Sequence, residues 1–119
     1  MTPEELRQRT KGFGVRCIQV VDALPATRTG DVLGKQLLRA ATSVGANYRA
    51  ATRGRSGREF VAKLGVAIEE ADECLYWLEV IIDAKLLPAK RLTELRVEGE
   101  EIVKILVATV RTMKNRTAT

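Results

Sequence analysis

A chain of 119 residues, 45% of them hydrophobic, can bury a core of its own, and a net charge of +5 biases it toward anionic partners without naming one. The absence of histidine removes the commonest general base and the commonest metal ligand. No apolar run approaches the roughly 20 residues needed to span a bilayer, and the charged start MTPEELRQRT lacks a leader's apolar stretch, so a cytoplasmic protein without membrane contact is expected.

Thr2-Pro3-Glu4-Glu5 opens a first helix over about 3–24. Thr2 can cap, Pro3 suits the first turn, and two carboxylates meet the positive end of the dipole. Leu6, Phe13, Cys17, Val20, Val21 and Leu24 share one face. Gly12 and Gly14 weaken its middle and can delay its start to Lys11; Pro25 stops it. A second helix is expected over 31–53, with Asp31 its better cap. It has a wide apolar face, and its Ala40–Ala46 segment is rich in small side chains that permit close helix approach.

Ser56 and Glu59 make an S-x-x-E capping box for a third helix over 57–86. Val61, Leu64, Ile68, Ala71, Leu75, Leu78 and Ile82 form a heptad seam. Ala62, Val66, Trp77, Val80 and Ala84 lie roughly opposite it. The N-terminal segment or another subunit must cover that second face. A subunit is the favoured reading, which makes Val66, Trp77 and Val80 candidate interface residues. A fourth helix over 88–114 follows Pro88 and carries Leu92, Leu95, Ile102, Leu106 and Met113 in line, with a fraying end from Lys114. The expected architecture is a single all-α domain over 1–119, an up-and-down antiparallel four-helix bundle.

Little in the sequence suggests catalysis. No Cys pair has zinc spacing, and Cys17 and Cys74 read as small buried apolar residues. Gly54-Arg55-Ser56-Gly57 follows a helix rather than a strand and is no phosphate-binding loop. Glu69 and Glu73 have the i,i+4 spacing of di-metal bundles but lack the histidines that accompany it. No cofactor, metal site or enzymatic activity is expected.

Charge is strongly segregated. Residues 28–63 carry eight basic and two acidic side chains, whereas residues 64–84 carry six acidic and no basic ones. Arg49, Arg53, Arg55, Arg58 and Lys63, with Arg39 a few turns earlier, surround the corner between helices two and three, beside a helix N-terminus. That combination suits phosphate. The competing reading pairs the same cations with the acidic face of helix three, in the same subunit or a neighbour. Tyr48 falls in the core or at an interface rather than on a stacking surface.

The segment QLLRAATSVGANYRAATRGRSGREFVAKLGVAIEEADECLYWLE closely resembles the four-helix-bundle proteins encoded in 23S rRNA intervening sequences of bacteria. Gln36, Leu37, Arg39, Ala40, Ala41, Ser43, Asn47, Arg53, Ser56, Glu59, Phe60 and Leu64 carry the likeness. It implies an up-and-down bundle assembled as a homopentamer, with no known catalytic activity. A related bundle is the accessory variability protein of diversity-generating retroelements, a basic pentamer that binds nucleic acid and a reverse transcriptase. Arg49-Ala50-Ala51 departs from the commonest family pattern and makes the corner more basic. The resemblance therefore implies a homo-oligomer whose partners are RNA or DNA, or a protein such as a reverse transcriptase.

Overall fold

Helices begin where a side-chain oxygen can hold the first free N–H groups. The computed structural model describes residues 1–118, which form α1 (Pro3–Ala23), α2 (Arg28–Thr52), α3 (Gly57–Asp83) and α4 (Ala89–Ala118). Thr2 accepts from the Glu5 N–H at 3.1 Å while the Glu5 carboxylate accepts from the Thr2 N–H at 3.1 Å, a complete capping box. α1 then runs unbroken through Gly12 and Gly14, because Leu6, Thr10 and Phe13 are buried on either side of Lys11 and seat its first turns.

The expected cap of α2 was one turn late. Thr27, not Asp31, caps it by accepting from the Gly30 N–H at 3.1 Å, and Asp31 lies inside the first turn. The Thr27 N–H donates to the Pro25 carbonyl at 2.8 Å, so the stop of α1 and the start of α2 are one tight turn. α3 ends at Asp83 rather than near Leu86. Lys85 takes φ 61°, and the N–H groups of Lys85 and Leu86 donate to the Ile82 and Ile81 carbonyls at 2.9 and 3.0 Å. This is a Schellman close, with lysine where glycine is usual. α4 continues past Lys114 to Ala118, beyond its expected fraying point, and Thr119 lies outside the described residues.

The elements form an all-α four-helix bundle measuring 52 × 22 × 21 Å, with short connections that make sequence neighbours antiparallel. α2 packs on α1 and α3, and α3 on α4; the α1–α4 side is the most sparsely packed. Leu37, Ala40, Ala41, Val44, Tyr48 and Ala51 line the inner face of α2. On α3 the buried row is Leu64, Ala67, Ala71, Cys74, Leu78 and Ile81; the expected seam shares Leu64, Ala71 and Leu78 with it, while its other members, Val61, Ile68, Leu75 and Ile82, are half-buried. Val61, Ile68, Leu75 and Ile82 on one flank and Ala67, Cys74 and Ile81 on the other extend the shared positions with the same heptad spacing, and the positions of α2 and α4 decide which flank is buried. Cys17 and Cys74 are both free and buried. A hydrogen bond that the protonated Cys74 thiol makes to Cys17, together with burial, pushes the Cys74 thiol far above the ordinary thiol range.

Glycines set the α1–α2 spacing. A Cβ on Gly14 would lie 3.2 Å from the Ala41 carbonyl oxygen, and one on Gly45 would lie 3.3 Å from the Lys11 nitrogen. Backbone therefore meets backbone on both sides of the contact. Gly99 plays the same part in α4, where a Cβ would stand 2.9 Å from Leu75 and 3.1 Å from the Phe13 ring. Across the sparse α1–α4 side, Arg9 donates from Nε and Nη2 to the two Glu98 carboxylate oxygens, both at 2.7 Å, and also reaches Glu101.

Gly45→Leu raises intrinsic helix propensity but must push α1 outward, so it is expected to lower the unfolding free energy by about 1–3 kcal/mol. Denaturant titration reads the effect, and an unchanged midpoint would show that the helices separate freely. Arg9→Met removes a part-buried bidentate pair and is expected to cost about 1–3 kcal/mol. A thermal melt superimposing on that of the unmodified protein would demote this pair to a surface contact.

Candidate nucleic-acid interface

The α2–α3 corner is built from local signals. Gly54 ends α2, and its N–H donates to the Ala51 carbonyl at 3.1 Å. Ser56 Oγ then accepts from the Glu59 N–H at 3.1 Å and starts α3. The Glu59 carboxylate reaches one residue further back than in the usual box, accepting from the Arg55 N–H at 2.8 Å. The corner is thus a fixed turn, and Arg53, Arg55 and Arg58 project from it into solvent.

Arg49, Arg53, Arg55, Arg58 and Lys63 are all exposed and enter no ion pair among the described residues. The structure brings these five to one end of the bundle. Arg39 stands apart from them. Its guanidinium donates to Glu70 at 2.9 Å and to Glu73 at 2.6 Å, tying α2 to α3. This carries out, within one chain, the pairing that competes with phosphate for the basic residues.

Two cations that the sequence reading passed over join this end. Arg7 and Lys11 face Arg49 and Arg53 across a groove of about 630 Å³ between α1 and α2. Its floor includes Gly14, Ala41, Gly45 and Ala46, and Val15 and Ile18 close its far side. The i,i+4 spacing of Arg7 and Lys11 was visible in the sequence; which helix they would face was not. The antiparallel course of α4 also carries Arg111 to this end. Arg7 pairs with Glu4, so it is partly neutralised.

The proposed interface residues on α3 divide. Val66 is 41% exposed, whereas Trp77 and Val80 are half-buried. Trp77 packs on the core and donates from Nε1 to Glu73 at 3.1 Å. The largest exposed apolar side chain on α3 is Tyr76, 56% exposed, which sits edge-on to Trp77 with ring centroids 5.1 Å apart. Trp77 is opposite the expected seam, but the buried face is rotated toward Ala67, Cys74 and Ile81, which turns Trp77 toward the core and Tyr76 outward.

Hydrogen bonds from Arg39 and then Trp77 hold the Glu73 carboxylate below its ordinary value of 4.5. A lowered folded value means that the stabilisation is present above pH 4.5 and is lost as pH falls through that lowered value. Trp77 emission is therefore expected to titrate below pH 4.5, and Arg39→Ala to move the midpoint up toward it. Identical titrations in the two proteins would dissociate Trp77 from this pair.

The chain matches the family model of the 23S rRNA-intervening sequence protein over residues 4–108. It is also similar to a crystal structure from Bacteroides thetaiotaomicron, described as a protein of unknown function from the S23 ribosomal protein family. The two are 31% identical, with a TM-score of 0.87, over 93% of this chain and 99% of that one. No functionally curated protein matches it. Among the described residues no helix is long and apolar enough to cross a membrane. With the family model spanning nearly the whole chain and the fold shared along it, this protein belongs to the 23S rRNA-intervening sequence protein family.

Proposed function

We propose that the protein is a non-enzymatic, self-associating cytoplasmic bundle that binds RNA or DNA phosphates through its basic end. One observation carries this reading. Five cations, Arg49, Arg53, Arg55, Arg58 and Lys63, surround the capped N-terminus of α3 without carboxylate partners among the described residues. Uncompensated cations on a rigid corner raise the local potential and favour a polyanion. The aromatic side chains do not supply base readout there. Phe13 and Tyr48 are buried, Phe60 is half-buried, and Tyr76 and Trp77 lie about 30 Å along α3 from its start, at 1.5 Å per residue. Contact with the sugar-phosphate backbone, indifferent to sequence, is the mode these side chains support.

A second reading, an accessory subunit for a protein such as a reverse transcriptase, draws support from the other pole of the molecule. Glu69, Asp72 and Asp83 are exposed on α3 and also enter no ion pair among the described residues. An acidic face of this kind repels nucleic acid and suits a basic protein surface.

Titration of a labelled structured RNA at 50 and 200 mM salt tests the first reading. If about five phosphates are neutralised, affinity is expected to fall by roughly 10²–10³-fold between the two. Arg55→Ala with Arg58→Ala is expected to weaken binding at low salt and to flatten that salt dependence. Absent binding, or binding indifferent to both substitutions, would leave the accessory-subunit reading in its place.

A further inference from the structure

Two surfaces on this bundle are unfinished within one copy, and they match each other. The first is the α1–α2 groove, with a floor of small residues, Val15 48% exposed at its side, and Lys11, Arg49 and Arg53 along its rim. The second is the outer ridge of α3. Ala62, Gly65, Val66, Glu69, Asp72 and Tyr76 fall there at helical spacing and face away from the core.

Gly65 is the informative residue. Glycine weakens a helix interior, and the bundle's other packed glycines offset this by admitting a neighbour. A Cβ at Gly65 would meet nothing within 4 Å, whereas one at Gly14 or Gly45 meets the backbone of the facing helix. Gly12 on α1 is equally unopposed, but Gly65 lies on an exposed ridge, where its missing side chain leaves room for a close approach from outside the protomer. Beside it are an exposed valine and an exposed tyrosine, and along the same ridge run carboxylates with no partner among the described residues.

We infer that the α3 ridge of one copy seats in the α1–α2 groove of a second copy. Glu69 and Asp72 approach Lys11, Arg49 and Arg53, while the exposed apolar side chains cover Val15 and Ile18. This rests on the proposal that the chain self-associates, and it names the surfaces. The charges are of opposite sign, and the small residues on both sides allow two helix surfaces to come close. Groove and ridge lie on different sides of the bundle, so each copy uses both at once. The contact is heterologous and propagates until it closes as a ring. It also divides the basic end: Arg49 and Arg53 face the neighbouring copy, and Arg55, Arg58 and Lys63 stay free for phosphate.

Light scattering with charge-reversed variants tests the inference. The unmodified protein is expected to be an oligomer. Lys11→Glu with Arg49→Glu in the groove, and separately Glu69→Lys with Asp72→Lys on the ridge, are each expected to give a monomer with unchanged helical circular dichroism. Mixing the two variants is expected to restore association, because acidic ridge meets basic groove again. Gly65→Gln provides a check that does not depend on charge: it strengthens the helix in open space, so the melting temperature of the monomer holds or rises while self-association weakens by about tenfold or more. A monomeric unmodified protein would overturn self-association and this inference together. An oligomer that survives both charge reversals, or that tolerates Gly65→Gln, would overturn the groove-and-ridge contact alone.

Discussion

The backbone contact between α1 and α2 is the constraint on which the other packing choices depend. Gly14 against Ala41, and Gly45 against Lys11, bring the two helices nearer than side chains would allow. With α1 drawn in, Phe13 reaches the centre of the bundle and covers Gly99 of α4. That contact places α4, and Arg9 then binds Glu98 and Glu101 on the side where little apolar packing joins the two helices. Each step uses a residue without bulk to position one with bulk. The same close approach also shapes the groove, whose small-residue floor is the outer surface of this contact.

Electrostatics follow a similar division between what is satisfied internally and what is left over. Arg9, Arg39 and Arg96 take carboxylates from other helices, and Arg7 takes Glu4 on its own helix. These pairs are mostly part-exposed, so they position helices more than they stabilise the fold. Among the described residues, the cations of the α2–α3 corner and the acids of the α3 ridge are not used this way. They are separated along the molecule, and salt screens exposed charges beyond roughly 8–10 Å. A polyanion, or another copy, can meet them at much lower cost than the chain itself could by bending.

The family model covers residues 4–108, and the Bacteroides structure is described as being of unknown function. What the fold contributes is a rigid frame with one basic end and one acidic ridge. The basic end and the α1–α2 groove share Arg49 and Arg53. In the reading proposed above, nucleic-acid binding and assembly of copies would compete for Arg49 and Arg53, which line the groove and border the corner.

The sequence by itself determined the elements that depend on neighbours in the chain. Capping at Thr2 and Ser56, the stop at Pro25, the heptad spacing of α3 and the clustering of arginines at 49–58 are all local. They announced four helices and a basic corner. The shift of the α2 cap to Thr27 was local too, but two acceptors competed there and the tight turn through Pro25 decided between them. Tertiary structure alone decided which flank of the α3 seam is buried, whether Tyr76 or Trp77 faces out, and that Arg39 belongs to an ion pair while, among the described residues, Arg53 does not. It alone brought Arg7 and Lys11 opposite Arg49 and Arg53. The reason is geometric. Helical periodicity places a residue on a face of its own helix to within a fraction of a turn, whereas a contact requires the rotation and axial offset of two helices. Those are set by close approaches such as that at Gly45, between residues more than thirty positions apart in the chain.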